Sequence, residues 1–324
     1  MSALRLNLLL IGLLLAASVL SLLIGRGGSL ALWTLWVDDP ASARVILWQL
    51  RLPRLLLAIL VGASLGLSGA VLQGLLRNPL AEPSLLGTSS GAALGAVVVF
   101  YFGLGGALAL PLGGMLGALA ALGLIYVLAG RRPDTLTIIL AGVAINAFTS
   151  ALTSLALNLA PNPYAALEIV FWLLGSLADR GLDQVWLALP PMLLGWLLLG
   201  SCARALDALT LGEDTAHSLG FHAGWVQLRA ISGTALAVGA AVAVTGVIGF
   251  VGLVVPHLLR PWVRHRPGQL LVPSSQGGAA LLTAADCLTR WLAPGPELHL
   301  GVVTALLGAP FFLYLLMQQR TRVV

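Results

Sequence analysis

In this chain of 324 residues, 59% are hydrophobic, 9% are charged and the mean hydropathy is +0.98. A soluble domain carries about a quarter charged residues, so this balance excludes one and reads as an all-α polytopic membrane protein. All 17 basic residues are arginine; without a lysine the chain has neither a P-loop nor a Schiff-base amine, and it cannot hydrolyse ATP through a Walker motif. The net charge of +5 would suit nucleic acid, but arginines gathered at helix ends on the cytoplasmic side account for it.

Arg5 opens an apolar run to Ile24, long enough to span a bilayer and longer than a signal-peptide core. Nine further spans follow at about 53–76, 87–103, 107–129, 135–158, 185–201, 227–248, 250–264, 270–291 and 299–317. The run 250–264 is short and interrupted by Pro256 and Pro261, which predicts a broken helix enclosed by protein or by a wet cavity. Small-xxx-small spacings at Gly62/Gly66, Gly91/Gly95 and Gly113/Gly117 predict close helix contacts. The link 159–184 carries Pro161, Pro163 and an amphipathic piece, Ala166–Leu174, suited to a membrane surface.

A polar island, Arg204–Gly224, interrupts this pattern. It reads as two brief helices, Arg204–Leu209 and Gly212–Leu219, with Glu213 and Asp214 in the first turn of the second, where the helix dipole favours anions. Gly220 is placed to close that helix in a left-handed conformation. With the N-terminus inside, eleven arginines face the cytoplasm and six, Arg26, Arg44, Arg51, Arg54, Arg180 and Arg290, face out. That asymmetry puts the island in the cytoplasm.

Four constellations could carry function. Arg51, Arg54 and Arg290 at the outer surface could receive a partner's carboxylates, or they could simply snorkel. The segment Arg77-Asn78-Pro79-Leu80-Ala81-Glu82-Pro83 is stiffened by two prolines and could form a constriction or a sharp turn. Asn146, Ser150, Ser154 and Asn158 recur every four residues, flanked by Thr149 and Thr153, and could line a wet path or bond within the bundle. Asp286 and Arg290 have the spacing of a local ion pair, with Asp286 orienting the arginine. Cys202 and Cys287 read as buried fillers, and the five histidines form no metal-ligand pattern. The spans hold no chain of acids and histidines for a proton relay, which weighs against an ion-coupled transporter.

The runs RLPRLLLAILVGASLGLSGAVLQGLLRNPLAEPSLLG, TLGEDTAHSLG, GFVGLVVPHLLR and ELHLGVVTALLGAPFFLYLL resemble the permease subunits of bacterial importers for vitamin B12, haem and ferric siderophores. The resemblance covers nearly the whole chain, 1–324, as one permease domain. It implies ten spans, a second permease subunit, two cytoplasmic ATPase subunits that hold ATP and Mg, a periplasmic binding protein, and no cofactor in this chain. Arg51, Arg54 and Arg290 match arginines that pair with glutamates of the binding protein. Asn78 and Leu80 match a cytoplasmic gate, as does Thr135, although its neighbour Leu136 departs from the small polar residue of the B12 permease and implies a more apolar gate. The run Leu211, Gly212, Glu213, Asp214, Thr215, Ala216, His217, Ser218, Leu219 and Gly220 matches the coupling helices seated in an ATPase groove. The resulting expectation is an inner-membrane importer of a ferric siderophore or haem, with cobalamin as the alternative and an ATP-independent channel as the rival of a different class.

Overall fold

The computed structural model describes residues 3–25, 36–37, 39–103, 106, 108–130, 135–160, 162–292 and 298–320, and all regular structure among them is helical. Helix α1 spans Ala3–Leu23. The short α2, Pro40–Val45, runs through a π-helical stretch, Ile46–Arg51, into α3, Leu52–Leu75. Pro53 has no N–H to offer and would clash in the preceding turn; the chain passes it by a wider turn in which the Leu52 N–H reaches the Leu47 carbonyl. A 3₁₀ turn, Pro83–Leu86, leads to α4, Thr88–Tyr101. Then come α5, Ala109–Ala129, α6, Thr135–Asn158, α7, Pro163–Leu173, and α8, Leu182–Ser201. The polar island forms α9, Ala203–Leu209, and α10, Glu213–Ser218. Four more helices complete the chain: α11, Ala223–Thr245, α12, Val251–Leu259, α13, Pro267–Leu292, and α14, Leu300–Arg320.

Six helical segments among the described residues are long and apolar enough to cross a membrane: Leu4–Leu23, Pro40–Leu75, Ala109–Ala129, Leu136–Asn158, Leu182–Leu209 and Ala223–Thr245. Helices of the other four expected spans, α4, α12, α13 and α14, are present but fall outside this group, α14 because its apolar stretch is only Leu300–Leu315. Helix α4 has 14 residues and α12 has nine, continued by a 3₁₀ turn, Arg260–Val263. Helix α13 has 26 residues but carries Gln269, Ser274, Ser275, Gln276, Asp286 and Arg290; it is buried rather than lipid-facing. Length and composition alone therefore do not establish ten spans.

The core is built on α3. Eighteen of its 24 residues are buried, and it packs most extensively against α13. A Cβ at Gly62 or Gly66 would overlap the Gly278 or Ser274 carbonyl, and one at Gly278 would overlap the carbonyl of Gly62. The same device joins α4 to α5, where Gly95 lies against the Gly113 carbonyl and Gly117 against that of Gly91. In lipid, where apolar surface gains little by leaving its solvent, such close backbone approach supplies the packing energy. The broken segment does not break where both prolines predict: Pro256 lies inside α12, Pro261 marks the change to the 3₁₀ turn, and the irregular stretch precedes them both. Its non-helical lead, with Gly246 and Phe250 at φ 73° and 68°, is enclosed by the bundle. Replacing Gly66 with valine is expected to force α3 and α13 apart and destabilise the fold by about 1–3 kcal/mol or more; a thermal unfolding midpoint unchanged from wild type would contradict this packing.

Candidate functional site

Polar chemistry gathers at the two ends of the α3–α13 pair. At one end, Asp286 on α13 is fully buried and serves two guanidiniums. Arg54 Nε donates to both carboxylate oxygens at 2.9 and 3.0 Å, and Arg54 Nη2 lies 2.8 Å from Oδ1. Arg290 Nη2 lies 3.1 Å from Oδ2, one helical turn along. Arg290 also donates through Nη1 to the Ser21 and Ile24 carbonyls at 2.8 and 2.9 Å, and through Nη2 to Ser21 Oγ at 2.7 Å. Arg51 Nη1 donates to the Leu22 and Leu23 carbonyls, the latter at 2.8 Å. The carbonyls at the C-terminal end of α1, which lack partners within their own helix, are thus capped by two cations, as the helix dipole favours.

The three predicted arginines do converge, but none merely snorkels. Arg51 and Arg290 are 9% and 4% exposed, and the Arg54 side chain is 13% exposed. Asp286 orients Arg290 as its spacing predicts; its contact with Arg54, 232 positions away, has no sequence signature. These arginines, together with Arg180, Asp179 and Ala178 from the α7–α8 link, line a cavity of about 370 Å³. Arg180 Nε is buried with no hydrogen-bond partner. Burial lowers the proton affinity of this guanidinium and the neighbouring Asp179 carboxylate opposes that shift; an arginine nevertheless stays charged in a protein. Four cations against two carboxylates make this cavity receptive to an anionic group. Sequence reading counted Arg180 only as an outer charge.

At the other end, α3 stops at Arg77, whose backbone is left-handed at φ 47°. Asn78 Oδ1 accepts the Leu80 N–H at 2.9 Å, and the Asn78 carbonyl accepts the Ala81 N–H at 3.1 Å, so the link is a compact turn stiffened by Pro79. Asn78 is exposed and Leu80 partly so. The link then enters the bundle. The Glu82 carboxylate accepts the Phe250 N–H at the start of α12, and the Leu85 carbonyl packs against Gly142 of α6. Gln73 holds α12 from the other side, donating to the Gly252 and Leu253 carbonyls at 3.3 and 3.2 Å and accepting from Arg260 Nη2 at 2.6 Å. Thr135 is the first residue of α6; its side chain lies outside the described residues.

Helix α6 also carries the polar row. Asn146, Ser150, Ser154 and Asn158 are all exposed along one side of the chain. Thr149 and Thr153 instead bond back to their own helix, Thr149 to Ile145 at 2.8 Å and Thr153 to Thr149 at 2.9 Å. The flanking hydroxyls are therefore internally satisfied, whereas the row itself faces outward.

Helices α9 and α10 stand at the Arg77 end. Helix α9 is bolted down on two sides: Asp207 Oδ1 accepts the Gly268 N–H in the first turn of α13 at 2.8 Å, and the Leu209 carbonyl accepts Arg77 Nη2 at 2.7 Å. Helix α10 is fixed mainly through Ala216, which is fully buried, while Glu213, Asp214, Thr215, His217 and Ser218 are exposed. Gly212 and Gly220 bracket it at φ 107° and 86°, Gly220 in the terminating role predicted for it. Leu211 and Leu219 are 67% and 59% exposed, an apolar pair on a polar surface. Cys202 and Cys287 are buried as expected, and no group of three metal-binding side chains occurs among the described residues.

Replacing Asp286 with alanine would leave Arg54 and Arg290 buried beside an empty site. A loss of about 3–5 kcal/mol is expected, with Asp286→Asn less severe, read as the thermal midpoint of the purified protein. Equal stability of all three forms would show that the carboxylate does not hold this end together.

The model of the FecCD transport family matches residues 13–318. The chain is 42% identical over 303 residues to the hemin transport system permease protein HmuU of Yersinia pestis, covering 90% of this chain and 89% of that one. It is 41% identical over 324 residues to the vitamin B12 import system permease protein BtuC of Vibrio cholerae, covering 97% and 94%. Among solved structures, an inward-facing conformation of a metal-chelate type ABC transporter superposes with a TM-score of 0.85 at 33% identity, covering 98% of this chain and 99% of that one. The PsaBC structure from Streptococcus pneumoniae, at 18% identity and a TM-score of 0.51, shares the fold alone. This chain is a multi-pass membrane permease and belongs to the FecCD transport family.

Proposed function

We propose that this chain is the membrane permease of an ATP-driven importer that carries a large metal chelate, haem or a ferric siderophore, into the bacterial cytoplasm by alternating access. The observation that carries the proposal is the α9–α10 pair, in which the exposed α10 follows a largely buried α9 that is bolted through Asp207 and Leu209 to the two helices at the centre of the bundle. A chain without lysine or a nucleotide motif must receive its energy from another polypeptide, and this surface is built to transmit force from one. Leu211, Leu219 and the exposed face of α10 would seat in an ATPase subunit, two of which would hold ATP and Mg. Movement of that rigid pair would then shift the bundle between discrete packings.

The opposite end faces the periplasm in this reading. Arg51, Arg54 and Arg290, joined by Arg180, present a cationic cavity to acidic side chains of a substrate-binding protein. The row Asn146, Ser150, Ser154 and Asn158 would be poorly placed against lipid, where unpaired polar groups are costly. It is accounted for if α6 borders a path shared with a second copy of the chain, giving a homodimer. Asn78 and Leu80 on the link, with Thr135 at the start of α6, then close the inner mouth of that path, and the exposed Leu136 makes the closure apolar. Cobalamin is the second substrate reading, favoured by the similarity to a B12 permease over 97% of this chain.

ATP hydrolysis by the purified permease–ATPase complex, measured with its binding protein loaded with haem, a ferric siderophore or cobalamin, separates these substrates. Stimulation by haem or a siderophore is expected, and stimulation by cobalamin alone would move the assignment to the second reading. Stimulation by none would sink the chelate reading. For docking, Arg180→Glu is expected to weaken binding of the binding protein by about tenfold or more at low salt, with Arg180→Lys intermediate. Unchanged affinity would remove Arg180 from the docking surface.

A further inference from the structure

The Leu209 carbonyl is a junction. It ends α9, it accepts the N–H of Gly212, the residue that opens α10, at 3.2 Å, and it accepts Arg77 Nη2 at 2.7 Å. A carbonyl at a helix C-terminus has no partner in its own helix, and a guanidinium there gains both a hydrogen bond and the helix dipole. The side chain of Arg77 is therefore fixed to the hinge between the two short helices. Its backbone is equally constrained, because a non-glycine residue at φ 47° holds that conformation only where its surroundings impose it. The next residue is Asn78, whose side chain and carbonyl close the turn through Leu80 and Ala81.

The second tether of α9 goes elsewhere. Asp207 reaches the start of α13, at Gly268, where a Cβ would overlap the Ala203 carbonyl. One tether thus anchors α9 to a long core helix, and the other leads to a short stiff link. The far end of that link is pinned as well, by Glu82 at the start of α12. Arg77 carries a displacement of α9–α10 to residues 78–82 by a polar contact that spans 132 positions of sequence, beside the apolar cluster that Leu206 and Leu209 share with Leu75, Leu76 and Ala81.

We propose that Arg77 is the positioning residue through which the α9–α10 pair moves the link carrying Asn78 and Leu80. The inference rests on the reading of α9–α10 as the ATPase-contacting surface and of the link as the inner gate. In this arrangement ATP-driven motion of the pair pulls the Arg77 guanidinium with the Leu209 carbonyl, and the turn at residue 77 rotates the link against α6. Without the guanidinium, the pair would still move with the ATPase and α13 would still follow through Asp207, but the link would be released from the cycle.

The test uses the full permease–ATPase complex with spin labels introduced at Thr215→Cys on α10 or at Ser84→Cys on the link; the native Cys202 and Cys287 are buried. Distances between the two copies are measured with and without ATP and Mg on a hydrolysis-deficient ATPase. In the otherwise native permease both label positions are expected to shift. With Arg77→Ala, the position-215 distance should still shift and the position-84 distance should not. Chelate transported per ATP hydrolysed should fall by about tenfold, with partial recovery for Arg77→Lys, which retains a donor. A position-84 shift that persists in Arg77→Ala would overturn the inference while leaving the importer reading intact. Failure of the position-215 label to respond to ATP in the native permease would instead remove the importer reading, and the inference with it.

Discussion

The carbonyl of Ser274 occupies the space that a side chain at position 66 would need, and the carbonyl of Gly278 does the same at position 62. Everything else in the bundle is arranged around the resulting approach of α3 and α13. Two helices this close interlock along their length. Their ends carry the chemistry. Asp286 lies between Arg54 and Arg290 where α3 begins and α13 ends, while Arg77, just past the end of α3, and Gly268, at the start of α13, engage Leu209 and Asp207 of α9.

The two ends are built on opposite electrostatic plans. At the arginine end, buried cations neutralise one carboxylate and cap the open carbonyls of α1, and the remaining positive charge lines a cavity. Helix α1 is exposed along most of its length and is secured by α13 and by this cap. At the other end most of the contacts are hydrogen bonds between a side chain and the backbone, with Gln73 also accepting from Arg260. From the Arg77 end, the inner part of the link and the lead into α12 carry irregular backbone into the bundle. Glu82 and Gln73 hold α12 from opposite sides, so this irregular backbone is enclosed by protein and bonded to it.

Much of this was legible in the residues because membrane helices obey few rules. Hydrophobic length placed the helices, glycine spacing identified Gly62, Gly66, Gly95 and Gly117 as contact positions, and Pro261 marked the end of the short helix α12, whereas Pro256 sits within it. The i,i+4 spacing exposed Asp286–Arg290. What stayed hidden depends on tertiary distance. Arg54 meets Asp286, Arg77 meets Leu209 and Asp207 meets Gly268 across separations of 232, 132 and 61 positions, where no periodicity operates. Arg180 has no sequence signature either, because a lone arginine beside an aspartate is indistinguishable from an ordinary surface pair without its neighbours in the cavity. The span count also exceeded what length and hydropathy support, since α4 and α12 are short and α13 is polar.

If ATP drives transport through α9 and α10, chelate should accumulate in vesicles containing the permease and its ATPase, with the binding protein and chelate on one side and ATP on the other. The account predicts uphill accumulation that requires ATP and disappears when residues 213–218 are replaced by a flexible linker, although the permease remains folded. Chelate that equilibrates without ATP, or accumulation that survives loss of α10, would contradict it.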